Sequence, residues 1–362
     1  MRPEDVTLAE VLHSAGYTCG LVGKWGLGGE GSAGVPTRQG FDSFFGYLDQ
    51  THAHNYYPEF LFRGERRVPL KNVVPNATDV GAGVATKRVE YSHDLFAAEA
   101  LDFVETHKDE RFFLYLALTT PHANNEAGKR GMEVPDFGEY AALDWPEPQK
   151  AHAAMISRMD RDVGRLLDKL KALGMDDRTL VVFSSDNGPH AEGGNDPQFN
   201  RSSGGLRGIK RALYEGGIRV PLIARWPGTI TSGESDFVGY VADLLPTFAE
   251  LAGAKSPDGL DGLSFAPTLL GRAAEQKQHA YLYWEFYEGR GAQAVRSGKW
   301  KAVRSPVTAP VELYDLDADP GESRNVTAEH ADVASRLAKL IDEAHRPAAE
   351  WTFPASGGRR RD

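Results

Sequence analysis

The chain has 362 residues, with 41 basic and 51 acidic side chains and a formal net charge of −10. An acidic balance argues against a nucleic-acid partner, which asks for a basic surface, and it means that any anionic ligand needs a local cluster of positive groups. Hydrophobic residues make up 41% and charged residues 25%, the make-up of an ordinary globular protein with length for about two domains, and no apolar run approaches the length of a membrane-spanning helix.

In chain order, Asp5 or Thr7 can cap a helix in which Leu8, Val11 and Leu12 repeat at helical spacing. No secretory signal is read at Met1, since Arg2-Pro3-Glu4-Asp5 leads into this amphipathic stretch rather than an apolar block. A buried strand is expected over 17–22. It contains the one cysteine, Cys19, which has no partner for an internal disulfide and reads as a buried, inert thiol. A Gly-rich loop follows over 23–34. Residues 35–90 are expected to be irregular, broken by Pro36, Pro58, Pro69 and Pro75. An amphipathic helix is then expected over 92–107, and the continuous apolar run 112–118 predicts a strand buried on both faces. A polar loop over 123–148, a long helix over 149–173, strands over 180–184 and 220–225 and a helix over 238–251 complete the alternation. Helix alternating with buried strand predicts an α/β fold with a mostly parallel sheet, whose chemistry lies at the carboxyl ends of its strands.

After about residue 271 the texture changes to short strands over 281–287, 292–297, 299–304 and 311–316, with a closing helix over 328–345. This predicts a smaller antiparallel sheet with one covering helix, so the expected domains are 1–271 and 272–362. A polar tail over 357–362 is expected to be disordered.

Four polar clusters carry the candidate chemistry. Gly23-Lys24-Trp25-Gly26 follows the first strand, and a lysine in a glycine-rich turn there can present a point charge to an oxyanion. Thr120-Pro121-His122 follows the strand at 112–118, and a histidine there can bind an anion, protonate a leaving group or ligate a metal. Asp186-Asn187-Gly188-Pro189-His190 follows the next strand; Asp186 and Asn187 offer hard oxygen ligands suited to calcium or magnesium, with His190 close behind. Arg207-Gly208-Ile209-Lys210 is basic within an acidic chain. Singly, each cluster also reads as a surface lysine, a structural histidine, a tight turn or a solvated loop.

Their order is more informative than any one of them. Gly-Lys-Trp at 23–25, Thr-Pro-His at 120–122, Asp-Asn-Gly at 186–188 and Arg-Gly-x-Lys at 207–210 resemble, in sequence, the sulfatase family. So do the stretch from Tyr214 to Pro221, the segment Val295-Arg296-Ser297-Gly298-Lys299-Trp300, and Glu312-Leu313-Tyr314-Asp315-Leu316 near the end. The resemblance implies an alkaline-phosphatase-like fold with a smaller C-terminal lobe. It implies hydrolysis of a sulfate ester, with one divalent cation, usually calcium, and a formylglycine made from Cys or Ser in Cys/Ser-x-Pro-x-Arg. By motif match Asp186 and Asn187 are metal ligands, and Lys24, His122 and Lys210 contact the sulfate or the leaving oxygen. The implied partner is a sulfated small molecule or glycan, and a periplasmic or secreted full-length protein is compatible with it.

The pattern also departs from the family. Cys/Ser-x-Pro-x-Arg does not occur in these residues; Gly34-Val35-Pro36-Thr37-Arg38 has the Pro and Arg but no nucleophile. The family's two adjacent first-strand Asp residues and its nucleophile are expected upstream of the helix at Asp5, which predicts a truncated, inactive and poorly stable chain. Gly26 stands where many relatives have His. His190, His52 and His54 are candidate substitutes, with His54 and Arg207 as candidate substrate contacts. Trp145, Tyr56, Tyr57, Trp284 and Tyr287 suit either sugar stacking or the core. A phosphatase or phosphonate monoester hydrolase of the same superfamily, and a non-catalytic binder of sulfated ligands, are the alternatives.

Overall fold

The computed structural model describes residues 1–348 and 351–353, so the tail expected over 357–362 lies outside the described residues. The strands are β1 (Thr18–Lys24), β2 (Ser43–Tyr47), β3 (Phe60–Arg63), β4 (Arg66–Pro69), β5 (Phe112–Ala117), β6 (Val181–Ser184), β7 (Leu222–Arg225), β8 (Leu282–Phe286), β9 (Ala292–Ser297), β10 (Trp300–Arg304) and β11 (Glu312–Asp315). The α-helices are α1 (Leu8–Ser14), α2 (Ser92–Thr106), α3 (Glu147–Ala172), α4 (Glu215–Ile218), α5 (Leu244–Ala252), α6 (Ala266–Leu269) and α7 (Ala331–Ala344). They form two compact units. The first comprises Met1–Val181, Glu192–Asn195 and Ala224–Lys277; the second comprises Val182–Ala191, Asp196–Ile223 and the residues from Gln278 on.

The first unit is built on a five-stranded sheet of order β4-β3-β2-β1-β5. Strand β1 pairs in parallel with β2 on one side and β5 on the other, while β2–β3 and β3–β4 are antiparallel. The sheet is therefore mixed. Residues 35–90, expected to be irregular, contribute three of its strands. Prolines there bound the strands instead of breaking them: Pro69 closes β4 at the sheet edge, where a missing N–H costs no ladder bond. Strand β5 is likewise not buried on both faces. It is half-buried along most of its length and Tyr115 is 48% exposed, because β5 is the other edge of this sheet.

Helix α1 begins at a capping box: the Thr7 hydroxyl accepts from the Glu10 amide at 3.1 Å, and the Glu10 carboxylate accepts from the Thr7 amide at 2.7 Å. Its Ala9 and Leu12 join Cys19, Leu21, Phe41 and Phe44 in one core cluster, with Phe248 of α5 packed against it. Burial pushes the Cys19 thiol up to about 12, so this cysteine is inert at neutral pH, as expected. On the other side Val104 of α2 and Leu170 of α3 pack with Phe112 and Leu114 of β5. Tyr56 and Tyr57 are core residues, 0% and 5% exposed, which removes them as sugar platforms.

The second unit contains the antiparallel sheet β11-β10-β9-β8. Helix α7 covers it, burying Ala334, Leu337 and Ile341 against Val295, Ala302 and Leu313. Trp284 packs in the cluster on Ala292, Ala294 and Tyr314, a core role. Strands β6 and β7 pair in a separate two-stranded sheet, with Leu222 51% and Ile223 58% exposed.

An ion network is buried in this unit. Lys301 is fully buried, with Nζ 2.8 Å from Glu215 Oε1 and 3.0 Å from Glu322 Oε1, and Glu322 Oε2 accepts from the Glu215 amide at 2.6 Å. Burial raises the Glu322 carboxyl above its usual value even against the pull of Lys301. Removing one member strands the others in low dielectric. Lys301→Met is expected to cost about 3–5 kcal/mol, read as a lower urea midpoint. The first unit holds a comparable group. His52 is fully buried, its ring against Tyr47 and Phe60, and burial lowers its pKa to about 4 despite the nearby Asp49. The folded state therefore holds it neutral while the unfolded chain protonates it below about 6.5, so stability is full above that pH and declines as pH falls toward about 4. The total loss corresponds to about 3 kcal/mol. His52→Leu is expected to flatten that decline in urea-unfolding profiles taken across this range.

Candidate functional site

Three candidate side chains of the first unit leave the carboxyl ends of three adjacent parallel strands. Lys24 is the last residue of β1 and sits in register with Tyr47, the last of β2. Strand β1 is held unusually close to both neighbours here. A Cβ on Gly23 would lie 2.0 Å from the Ala117 carbonyl oxygen, and one on Gly46 would lie 1.8 Å from the Gly23 oxygen. Only glycine pairs there, and Gly23 also has a positive φ of 115°. The strand thus ends by delivering a half-buried Lys24 at the sheet edge. The following loop is anchored by Trp25, whose indole N–H donates to the Gly34 carbonyl at 2.7 Å and whose ring meets Phe41 edge-on at 5.7 Å.

Gly26 adopts φ +80°, and a Cβ there would come within 2.6 Å of Gln50 Cγ. A histidine at this position would carry both strains, so the backbone itself explains the departure from the family pattern. The loop after β2 supplies imidazoles instead. His52 points into the core, as described, and is not available to a ligand. His54 is partly exposed and its ring stacks on His122, centroids 5.0 Å apart and planes 7° from parallel. Its Nδ1 faces the Glu126 carboxylate at 3.2 Å.

His122 sits in the turn after β5. The Thr120–Pro121 peptide is cis. The Tyr56 hydroxyl donates to both the Thr119 and His122 carbonyls, at 3.0 and 2.7 Å, and the His122 amide donates to the Thr119 carbonyl at 2.8 Å. His122 Nδ1 lies 2.7 Å from the Ala123 carbonyl oxygen. A carbonyl only accepts, so Nδ1 carries a proton. Nε2 faces Glu192 Oε2 at 3.5 Å. Glu126 and Glu192 were not found from sequence, because neither falls in a motif and both reach histidines far away along the chain.

In the second unit the loop after β6 presents Asp186 and Asn187. Asp186 is exposed, Asn187 is half-buried and His190 is 6% exposed. The turn is pinned by Ser185 Oγ donating to the Asn187 carbonyl at 3.1 Å and by the Gly188 amide donating to the Gly217 carbonyl at 3.0 Å. The Lys210 amide donates to the Pro189 carbonyl at 2.8 Å, so the Arg-Gly-x-Lys segment lies beside the Asp-Asn-Gly-Pro-His segment within this unit. Arg207 has a packing role: its guanidinium stacks 3.8 Å over the Tyr214 ring and donates to the Tyr314 hydroxyl at 2.6 Å and the Glu322 carbonyl at 3.2 Å. Trp145 is stacked on Tyr140 at 5.9 Å and Tyr287 on Phe353 at 4.5 Å.

Asp186 and the Asn187 amide oxygen are hard donors of the kind calcium takes, and Asn187 Nδ2 donates to the Gly188 carbonyl at 2.9 Å. Two donors do not fill a shell of six to eight. Among the described residues, no group of three or more His, Cys, Asp or Glu is arranged to hold a metal. No described helix is long and apolar enough to cross a membrane.

Removing the Tyr56 hydroxyl leaves two carbonyls of the turn without that donor. Tyr56→Phe is expected to lower stability by about 1–3 kcal/mol in chemical denaturation and to move the His122 ring resonances in NMR spectra.

Comparisons with known proteins bear on the family and the fold. The family model described as Sulfatase matches residues 2–254, and that described as N-sulphoglucosamine sulphohydrolase, C-terminal, matches residues 208–346. Arylsulfatase A of Homo sapiens is 33% identical over 364 residues, covering 89% of this chain and 67% of the relative. N-acetylgalactosamine-6-sulfatase of Rattus norvegicus is 32% identical, covering 96% of this chain and 63% of its own length. Among solved structures, Ps i-CgsB in complex with k-i-k-neocarrahexaose has a TM-score of 0.75 at 26% identity, covering 94% of this chain and 74% of that one. The phosphonate monoester hydrolase SpPMH from Silicibacter pomeroyi has a TM-score of 0.63 at 18% identity, covering 95% and 80%, a likeness of fold alone.

Proposed function

The chain belongs to the sulfatase family, and from that premise we propose that it carries the sulfate-recognising machinery of a sulfuric ester hydrolase acting on a carbohydrate or aryl sulfate. The observation that carries this reading is the delivery of Lys24, His54 and His122 from the carboxyl ends of β1, β2 and β5, three neighbouring strands of one sheet. That edge is where α/β sheets place their ligands.

Sulfate ester cleavage builds negative charge on the sulfuryl oxygens and on the leaving oxygen, and preorganised cations lower the barrier by meeting that charge. Lys24 is proposed to supply a fixed positive charge to a sulfuryl oxygen. His122 is proposed to work through Nε2, since Nδ1–H is held by the Ala123 carbonyl, and a protonated Nε2 can pass its proton to the leaving oxygen. His54, stacked on His122, is proposed as the substrate-side imidazole that stands in for the histidine Gly26 excludes. Lys210, by motif match, and His190, close behind the Asp-Asn-Gly turn, are proposed as catalytic residues of the second unit. By motif match Asp186 and Asn187 are proposed as two of the oxygen ligands of a divalent cation, calcium by their hardness, which when bound would supply positive charge to a sulfate ester. The family's formylglycine precursor motif, Cys/Ser-x-Pro-x-Arg, does not occur in these 362 residues, and no nucleophile is assigned. An aryl sulfate and a sulfated sugar of the kind named in the relatives both satisfy this chemistry.

Titration calorimetry of the purified chain in calcium buffer tests the reading, with sulfate, phosphate and a sulfated hexosamine as probes. Sulfated probes are expected to bind, and Lys24→Ala, His122→Ala and Lys210→Ala each to weaken them by about tenfold or more, the worth of one hydrogen bond to a charged group. Preference for phosphate would move the assignment to phosphoryl chemistry, and no binding of either anion would sink it. The same chain is expected not to turn over p-nitrophenyl sulfate; turnover would require a nucleophile outside the motif.

A further inference from the structure

Beneath the turn that carries His122 lies a buried chain of three polar side chains that the proposed chemistry leaves unused. Thr120 Oγ1 is 3.1 Å from His93 Nδ1, at the start of α2, and His93 Nε2 is 3.2 Å from Asp162 Oδ2, on α3. The three residues are 7%, 1% and 7% exposed. None belongs to a loop-borne motif except Thr120, and the partners come from positions 27 and 69 residues apart along the chain.

The direction of this chain is set by its ends. Burial would raise the Asp162 carboxyl, but hydrogen bonds from Arg161 and Arg165 outweigh it and hold the group below its usual value, so it is an ionised acceptor. Burial lowers the His93 imidazole against the pull of Asp162 and Asp94, so at neutral pH it carries one ring proton. A carboxylate cannot donate, which puts that proton on Nε2 and leaves Nδ1 as an acceptor. The Thr120 hydroxyl must then be the donor. A cavity of about 10 Å³ adjoins the pair, lined by His93, Asp162, Leu116, Leu118 and Leu166 among others. It holds at most about one water, so an alternative protonation state of His93 has little solvent to lean on.

We propose that Asp162 and His93 act through Thr120 as positioning residues for His122: a one-way hydrogen-bond relay that orients the hydroxyl two residues before the imidazole and so aims His122 Nε2. The Tyr56 hydroxyl holds the same turn from its carbonyls, and the relay holds it from its side chain. The hydroxyl–imidazole–carboxylate order is that of a nucleophilic triad, but the Thr120 hydroxyl is buried and its proton is committed inward, so it steers and does not attack. The proposal rests on the reading of His122 as a sulfate-site residue.

The test uses the full chain and two readouts. Imidazole nitrogen shifts by NMR report the ring tautomers of His93 and His122, and calorimetry reports sulfate affinity. Thr120→Val keeps the shape and removes the donor; Thr120→Ser restores a donor; Asp162→Asn allows the His93 ring proton to move to Nδ1. Expected are an Nε2–H tautomer for His93 in the wild type, shifted His122 ring signals in Thr120→Val and Asp162→Asn, a fall in sulfate affinity of about tenfold, the net worth of one hydrogen bond, and recovery of both readouts in Thr120→Ser. If Asp162→Asn does not fold, the Val and Ser pair at position 120 decides alone. Unchanged His122 signals in Thr120→Val, or an Nδ1–H tautomer for His93 in the wild type, overturns the relay. If the wild type binds no sulfate while the His122 signals move and recover as expected, the relay stands and the sulfate reading falls.

Discussion

Strand β1 lies between β2 and β5 and pairs in parallel with both. Parallel pairing brings the carboxyl ends of all three strands to one edge, and Lys24, His54 and His122 are the consequences of that alignment. The approach is close enough that no side chain fits at Gly23 or Gly46, where an added Cβ would overlap a neighbouring carbonyl. A larger residue at either position would push the strands apart and shift the lysine and the two histidine-bearing loops relative to one another. The chemistry proposed here is in that sense a property of backbone packing before it is a property of any side chain.

Each unit also buries a polar network of its own. In the second unit Glu215, Lys301 and Glu322 tie the segment around α4 to β10 and to the stretch after β11, and Arg207 adds a stack on Tyr214 and a hydrogen bond to Tyr314. These contacts fix the backbone on which Lys210 stands, whose amide is bonded to the Pro189 carbonyl next to His190. In the first unit Tyr56, Thr120, His93 and Asp162 do the same for the His122 turn. Buried hydrogen-bonded networks are poor sources of net stability but are demanding about geometry, which is what a site that must meet developing charge requires.

His54 and His122 stack, with Glu126 and Glu192 at the two ends of the pair, and we propose that His54 stands in for the histidine absent at position 26. A positive φ at Gly26, with Gln50 close by, disfavours a side chain there, and in the proposed site the imidazole comes from the loop after β2.

Much of this protein is legible from its residues alone. The start of the first helix near Asp5 or Thr7, the helices at 92–107 and 149–173, the C-terminal strands and the order of the four polar clusters all depend on local chemistry: hydrophobic period, turn residues and short motifs. Those features identified the family and the carboxyl-end placement of Lys24 and His122. Tertiary structure decided what depends on residues far apart in the chain. Strands β2, β3 and β4 are too short to show a period, and they form by pairing in succession, β2 on β1, β3 on β2 and β4 on β3. His52 and His54 are two residues apart in one loop, yet one is sealed against Tyr47 and Phe60 while the other stacks on His122. Asp162 and His93 meet across 69 residues, and Arg207 turns to Tyr314 across 107. Local pattern records what a segment prefers; which face it buries, and which distant partner completes its hydrogen bonds, is settled only when the segments pack.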